Sequence, residues 1–382
     1  MHWRDAFFLD SSELGLHNPA ASAVYFVTTL GHQCVIVFFV LSGYLVGGSV
    51  VRSVNSGQWI WKSYLFTRLT RLYVVLLPAL LLGGILDWTG MRLPGTESVY
   101  SGHSGMDALR VSVHSSLTVP TFVANCFFTQ TMVLPGMGGK HVSAFGSNGP
   151  LWSLCNEFWY YLAFPLLALL LASAQSLRAR VTCGIALVAW AWFVGLMITL
   201  YWIPWLAGVA IFFLPPFPSK QTSGRVLGVA SALLLLGGGL VLSRLANRPD
   251  AIWPQLGADY VLSLAVAFSI WVTLHCATRP VGSNYQKLAQ RSARSSYTLY
   301  LVHLPLLVFL KAAFHLPRAF PSWHGCLNSL ALLLAIVVYA QLVYEVFEKH
   351  TDRVRAWIDP WVKGRQTALK QLGSPELTNH PG

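Results

Sequence analysis

Nine apolar runs, each near the length of a bilayer-spanning helix, constrain the fold of this 382-residue chain. A helix needs about 20 mostly apolar residues to cross the hydrocarbon core. Hydrophobic residues make up 54% of the chain and charged residues 10%, which excludes a soluble globular domain. The sequence therefore predicts an all-α, polytopic transmembrane helical bundle. The runs cover residues 31–50, 72–88, 150–172, 181–198, 200–216, 226–243, 257–277, 296–315 and 325–347.

Two of these runs, 181–198 and 200–216, are short, and the segment Trp202–Trp205, which contains Pro204, lies near the point where they meet. Proline removes a helical hydrogen bond, and broken helices occur in membrane proteins where the freed groups find partners. A tilted or broken helix is therefore expected at this point.

The basic residues indicate how the chain is oriented in the membrane. The net charge is +12, and most of the 26 Lys and Arg residues fall in alternate loops and in the tail that starts at Lys349. Cytoplasmic loops are enriched in Lys and Arg, so these loops are predicted to be cytoplasmic and no nucleic-acid partner is needed to explain the charge. Residues 1–348 are predicted to form the transmembrane domain, and residues 349–382 a basic cytoplasmic tail.

Nine crossings that end in the cytoplasm place the N-terminus outside. Residues 1–30 have no basic start, apolar middle and small-residue cleavage site of a signal peptide. A tenth helix preceding Met1 is therefore expected, with this chain beginning at its outer end.

The longest predicted outer loop covers residues 89–149 and is rich in Gly, Ser and His. Loops of this length are usually functional or disordered. Within it, residues 121–135 are too few and too polar to span the membrane. They are predicted to form a re-entrant or interfacial helix near the functional face.

The apolar run that begins at Leu151 carries one ionisable residue, Glu157. Burying a carboxylate inside the membrane costs free energy, so such a residue usually marks a functional site. The alternative is a purely structural role, in which Glu157 binds a neighbouring helix. Ser153, Glu157 and Tyr161 recur every four residues, which predicts three polar side chains on one helical face.

The six cysteines and twelve histidines are scattered through the chain. None has the spacing of a disulfide framework or a zinc site, so no metal is predicted.

Five further motifs carry a resemblance to a known family. They are Phe38–Tyr44 (FFVLSGY), the pair Arg68 and Arg71, Trp152–Glu157 (WSLCNE), Asn125–Gln130 (an Asn-x-x-x-x-Gln loop) and Ser295–Pro305 (SSYTLYLVHLP). In their order along the chain, these motifs resemble those of the membrane-bound acyltransferase-3 family, whose members O-acylate bacterial polysaccharides and lipid-linked glycans. That family's first helix carries an arginine and, after ten intervening residues, a histidine; His2 occupies the histidine position, and the arginine has no counterpart in this chain.

The resemblance implies an acyl transfer from a thioester to a sugar hydroxyl, by direct transfer or through an acyl-enzyme. Such a transfer needs a base with a pKa near neutrality, and imidazole suits that role. His2 is the first candidate and His32 the second, while Glu157 is expected to orient a histidine or to bind sugar hydroxyls. The alternatives are a frayed terminal residue for His2 and an interfacial residue for His32.

Arg68 and Arg71 lie near the predicted cytoplasmic boundary, where guanidinium groups suit the phosphates of an acyl-CoA. Anchoring to lipid headgroups is the alternative. The residues predicted to bind the acceptor are Trp152, Ser153, Tyr160, Asn125 and His303. For Trp152 the alternative to acceptor binding is a place in the interfacial aromatic belt. For His303 a structural hydrogen bond to Tyr297 or another helix is favoured over a catalytic role.

The sequence thus predicts a multi-pass O-acyltransferase of the bacterial inner membrane that moves an acyl group, expected to be acetyl, from acyl-CoA to a carbohydrate hydroxyl. Acyl-CoA is a co-substrate, and no permanently bound cofactor is expected. The expected partners are acyl-CoA, a carbohydrate or lipid-linked glycan, and membrane lipids. A proton-coupled or sugar-exporting transporter is the alternative, since it also explains a glutamate and histidines within the membrane.

Overall fold

The computed structural model describes residues 1–9, 19–102, 106, 109, 111–134, 138–217, 222–248, 251–276 and 282–363. Among these residues there is no β-strand, and nine helices are long and apolar enough to cross a bilayer. The predicted all-α transmembrane fold is confirmed. The helices used below are α1 (His2–Phe7), α2 (Pro19–Thr28), α3 (Gly31–Asn55), α4 (Trp61–Gly90), α5 (Val119–Cys126), α6 (Leu151–Leu171), α7 (Leu177–Val194), α8 (Leu196–Ala210), α9 (Thr222–Ala246), α10 (Ile252–Cys276), α11 (Ser283–Ala313), α12 (Trp323–Val346) and α13 (Thr351–Lys363).

The helix break expected around Pro204 lies elsewhere. Helix α7 ends at Val194 and α8 begins at Leu196, with Gly195 between them at a φ of +84°. Glycine adopts that left-handed region without steric cost, so the chain turns there. Pro204 lies inside α8, and the prediction of a break at Trp202–Trp205 is wrong.

Prolines inside α6, α8 and α11 are accommodated by neighbouring side chains. Each proline leaves the carbonyl four residues earlier without its helical donor. All three freed carbonyls are satisfied from another segment: Tyr64 Oη donates to Tyr161 O at 3.1 Å (before Pro165), Tyr260 Oη to Leu200 O at 3.1 Å (before Pro204), and Asn148 Nδ2 to Leu301 O at 2.8 Å (before Pro305). This compensation allows α6, α8 and α11 to continue past these prolines.

Helices α3 and α8 approach each other to backbone contact. A Cβ atom added to Gly43 would collide with the carbonyl of Trp205, and one added to Gly208 would collide with the carbonyl of Val40. Small residues permit such approaches between membrane helices. Residues Gly43–Gly47 form a π-helical turn within α3.

Hydrogen bonds attach the outer loop, residues 89–149, to α4 of the bundle. The Asp87 carboxylate accepts hydrogen bonds from Ser147 N at 2.7 Å and Ser147 Oγ at 2.8 Å. The re-entrant helix predicted over residues 121–135 is shorter than expected. Helix α5 ends at Cys126, and turns follow in which Phe128 and Thr131 have positive φ angles of 54° and 72°. Pro135 lies outside the described residues.

The N-terminal helix α1 packs against α11 and α12. The buried Lys311 Nζ donates to Ala6 O at 2.7 Å, and Phe8 pairs with Ala319 through a single bridge. These contacts fix residues 2–8 beside the end of α11.

The C-terminal region after α12 continues into α13. Residues 364–382 of the predicted tail lie outside the described residues. The division of the chain at residue 348 stays a prediction.

Candidate active site

The two ends of the bundle are named here from the charge-based prediction. The outer end holds Met1, the start of α3 and the 89–149 loop, and the inner end holds the start of α4 with Arg68. Met1 and Gly31 lie close enough that a Cβ atom on Gly31 would meet the Met1 side chain at 2.8 Å.

The three polar residues predicted to share a face of α6 each contact a polar or charged partner on another helix. We call Ser153, Glu157 and Tyr161 the α6 column; successive members are about 6 Å apart along the helix. At the outer end Ser153 Oγ lies 2.6 Å from Tyr300 Oη of α11. At the inner end the Arg68 guanidinium lies 5.6 Å from the centre of the Tyr161 ring.

Glu157, in the middle of the column, is 1% exposed. Its Oε1 accepts a hydrogen bond from Ser42 Oγ, which in turn accepts one from Trp205 Nε1 at 3.2 Å. Its Oε2 is buried with no hydrogen-bond partner among the described residues. Glu157 was expected to orient a histidine or to bind sugar hydroxyls; its observed partner is the Ser42 hydroxyl, and its role stays a prediction.

A pair of histidines lies beyond the outer end of the column. The rings of His2 and His303 stack with their centres 5.5 Å apart. His303 Nδ1 lies 2.8 Å from the carbonyl oxygen of Tyr300, and the Tyr300 and His303 ring centres are 6.0 Å apart. Because a carbonyl only accepts, Nδ1 carries the hydrogen and Nε2 holds the lone pair of the neutral ring.

The structural partner favoured for His303 by the sequence, Tyr297, is engaged elsewhere. Tyr297 Oη donates to Leu72 O at 3.3 Å. His303 instead binds the carbonyls of its own helix, Tyr300 O and Leu299 O, the latter at 3.1 Å.

His32 lies at the start of α3, beside Trp152 of α6. The two rings are nearly parallel, at 13°, with their centres 6.2 Å apart. His32 Nε2 lies 2.7 Å from Oδ2 of Asp259, a fully buried residue of α10. Asp259 was not predicted as a site residue, although an acidic residue inside the predicted span 257–277 is the same signal that identified Glu157.

A cavity of about 230 Å³ opens beside Arg68 near the inner end. Arg68 Nη2 donates to Ser49 Oγ at 3.2 Å, and its guanidinium also lies 5.5 Å from the centre of the Tyr64 ring. Arg68 Nε and Trp59 Nε1 are buried N–H donors without a partner among the described residues. Polar and aromatic residues lining this cavity are Ser49, Ser53, Gln58, Trp59, Ser63, Tyr64, Thr67 and Arg68.

Arg71, the second predicted donor-binding residue, is exposed and does not line this cavity. The two arginines therefore differ in their surroundings, and Arg68 is the one placed among groups that can surround a ligand.

Comparison with known protein families identifies the family to which this chain belongs. A family model described as "Acyltransferase domain" (Acyl_transf_3) matches residues 7–345, which is nearly the whole chain.

The chain belongs to the acyltransferase-3 family.

The resemblance read from the motifs is confirmed. Acyltransferase MdmB of Streptomyces mycarofaciens is 30% identical over 148 residues, which are 38% of this chain and 30% of that protein. A Staphylococcus aureus (strain COL) protein, whose name gives a provisional O-acetyltransferase activity, is 22% identical over 346 residues, 84% of this chain and 52% of its own length. O-acetyltransferase OatA of Staphylococcus aureus (strain NCTC 8325 / PS 47) is 26% identical over 184 residues, 42% of this chain and 30% of its own.

The chain thus spans about half or less of the length of these curated relatives. No solved structure matches it at a significant level.

Four of the acyltransferase-3 motifs converge on the α6 column although they are far apart in the sequence. The first brings Ser42, the arginine pair brings Arg68, and the segment Trp152–Glu157 supplies the column itself. The fourth brings Tyr300 and His303. The four motifs therefore meet in one region of the bundle.

Asn125 and Tyr160, both predicted to bind the acceptor, make structural hydrogen bonds instead. Asn125 Nδ2 donates to the carbonyls of Thr121 and Ser143 at 2.8 and 3.0 Å, and its oxygen accepts from Phe145 N at 3.1 Å. Tyr160 is fully buried, and its hydroxyl donates to Ile198 O at 3.1 Å. Their hydrogen bonds hold the outer loop and the helix packing, so their positions lend no support to acceptor binding.

Proposed function

We propose that this chain is an integral O-acyltransferase of the bacterial plasma (inner) membrane. It moves an acetyl group from acetyl-CoA, bound near the inner end, to a carbohydrate hydroxyl at the outer end. One observation carries the proposal: the α6 column joins a cationic, aromatic cavity on one side to a pair of imidazoles on the other.

The cavity at Arg68 suits the anionic end of coenzyme A. Guanidinium groups donate charge-assisted hydrogen bonds to phosphate, and the buried Arg68 Nε has such a hydrogen to give. The rings of Trp59 and Tyr64, 4.9 Å apart, offer aromatic faces for a purine. With the phosphates held here, the thioester would extend along the column towards Glu157.

The chemistry at the outer end requires proton transfer. The sugar hydroxyl oxygen attacks the thioester carbonyl carbon, and the imidazole pair His2–His303 takes the hydroxyl proton. The C–S bond then breaks, and the coenzyme A thiolate takes that proton back, leaving an acetyl ester and the free thiol. General base catalysis of this kind contributes about 10²–10⁴-fold to a rate.

Glu157 supports this step electrostatically. It lies one helical turn below Ser153, whose partner Tyr300 contacts His303. A carboxylate buried in a low-dielectric site stabilises the imidazolium that forms during proton transfer. Its free Oε2 also gives a sugar hydroxyl or a water molecule an acceptor.

The proposal is tested with the purified protein in lipid nanodiscs. Acetyl-CoA labelled in its acetyl group is mixed with envelope glycans prepared from source cells that lack this gene. The expected result is label in the glycans that mild base releases as acetate. Glu157→Gln is expected to lose the transfer, and Glu345→Gln, at an exposed glutamate of α12, serves as the matched control. Absence of transfer by the wild type, with movement of an unmodified solute across vesicles, would establish the transporter instead.

A further inference from the structure

A second buried polar cluster surrounds Asp259, outside the α6 column. Its carboxylate is contacted from three other helices: by His32 Nε2 of α3 at 2.7 Å, Ser243 Oγ of α9 at 2.6 Å and Tyr201 Oη of α8 at 3.3 Å. Ser243 also accepts a hydrogen bond from Gln33 Nε2 at 3.0 Å. Ser243 and Gln33 are fully buried, so this cluster fixes the carboxylate in one position.

The geometry determines what the His32 ring can do. The hydrogen of neutral His32 lies on Nε2, because that nitrogen faces a carboxylate held by two other donors. Nδ1 then carries a lone pair on the opposite side of the ring, and no described residue donates to it. The His32 side chain is 16% exposed, so the ring is not sealed inside the cluster.

Two further aromatic rings lie beside the His32 ring. Trp152 stacks on His32, and the Tyr201 ring lies edge-on to both, with its centre 6.2 Å from His32 and 6.4 Å from Trp152. Aromatic side chains combine an apolar face with polar edges, which suits the apolar faces and hydroxyls of a sugar ring. Trp152 directly precedes Ser153 of the α6 column, so this group adjoins the site proposed for transfer.

We propose that His32, Trp152 and Tyr201 form the subsite that orients the carbohydrate acceptor. His32 Nδ1 accepts a hydrogen bond from a sugar hydroxyl next to the one that is acylated. Asp259 is a positioning residue, since it fixes the orientation and the tautomer of the His32 ring. This inference rests on the proposed acyltransferase function and adds to it a residue that sets acceptor binding.

The test measures acceptor and donor dependence separately in nanodiscs. Labelled acetyl-CoA and the envelope glycans of gene-deleted cells are titrated in turn. Asp259→Asn is expected to raise the half-saturating amount of glycan about tenfold, the effect of losing one well-placed hydrogen bond. The half-saturating acetyl-CoA concentration stays within twofold, because the donor cavity is at the other end. Ser263→Ala, one turn along α10 with a hydroxyl bound only to its own helix, changes neither.

Two variants separate positioning from a purely structural role. His32→Gln removes the imidazole while keeping Asp259, and it is expected to give the same change in glycan dependence. Because Asp259 acts through His32, the double variant is expected to be no worse than His32→Gln alone. Asp259→Glu, which keeps the charge, is expected to restore part of the glycan affinity.

The outcomes distinguish this inference from the function on which it rests. A wild-type protein that transfers no label contradicts the acyltransferase proposal. A wild-type protein that transfers label, while Asp259→Asn or His32→Gln leaves the glycan dependence unchanged or weakens donor and acceptor equally, overturns the acceptor subsite alone. If the Asp259→Asn protein does not fold, the glycan and acetyl-CoA dependence of the His32→Gln protein tests the acceptor subsite instead.

Discussion

Ser42 of α3 donates a hydrogen bond to Glu157 of α6 within the membrane-spanning bundle. The backbone contact between α3 and α8 at Gly43 and Gly208 lies beside this bond, and Trp205 Nε1 of α8 donates to the same Ser42 hydroxyl. Ser42 and Gly43 therefore have linked roles. Gly43 permits the close approach of α3 and α8, and the adjacent Ser42 donates a hydrogen bond to the Glu157 carboxylate.

Glu157→Gln is expected to lower the transfer rate at least about 100-fold, because the amide keeps the shape but loses the charge that stabilises a protonated imidazole. Ser42→Ala is expected to cost about tenfold, the value of one hydrogen bond to a charged group. Label transfer and thermal unfolding are measured together. A Glu157→Gln protein that folds and transfers acetyl at the wild-type rate contradicts the role given to Glu157.

His2 and His303 are expected to act as a unit. His2→Gln and His303→Gln should each lower the rate about 100-fold or more, and the double variant should be no slower than the worse single variant. Steady-state transfer rates of the three proteins provide the measurement. Multiplicative losses in the double variant would show two independent roles, and an active His2→Gln protein would place the base on His303 alone.

Gly43→Ala is expected to destabilise the bundle by several kcal/mol or to prevent folding, since the added methyl group meets the Trp205 carbonyl rather than a flexible side chain. Gly238→Ala provides the matched control on α9, because a Cβ atom there has no neighbour within 4 Å. Thermal unfolding in detergent measures both. Equal stability of the two variants would show that α3 and α8 do not touch through their backbones.

Asn148→Ala is expected to cost about 1–3 kcal/mol, the penalty for leaving the buried Leu301 carbonyl unpaired. In a Pro305→Ala background the restored N–H satisfies that carbonyl within α11, so the same Asn148→Ala change should cost much less. The four proteins of this cycle are compared by chemical unfolding. Additive losses would mean that Asn148 stabilises the loop by some other contact.

Hydropathy and four-residue spacing predicted the nine spans and the shared face of Ser153, Glu157 and Tyr161. Both are local properties of the sequence. The partners of these side chains were not predictable in the same way, because His32 and Asp259 are 227 positions apart and meet only through packing of α3 against α10. The boundary expected between the runs 181–198 and 200–216 falls at Gly195, but the further break expected at Pro204 does not occur, because Tyr260 of another helix binds the freed carbonyl.

Transfer across the membrane is the central claim, and right-side-out vesicles test it most directly. Vesicles containing the protein are loaded with labelled acetyl-CoA, and the envelope glycans are supplied only outside. We expect base-labile label to appear on the external glycans with the wild-type protein. Vesicles containing the Glu157→Gln protein are expected to transfer no label. Label that appears only when acetyl-CoA and glycans are on the same side of the membrane would contradict a route along the α6 column.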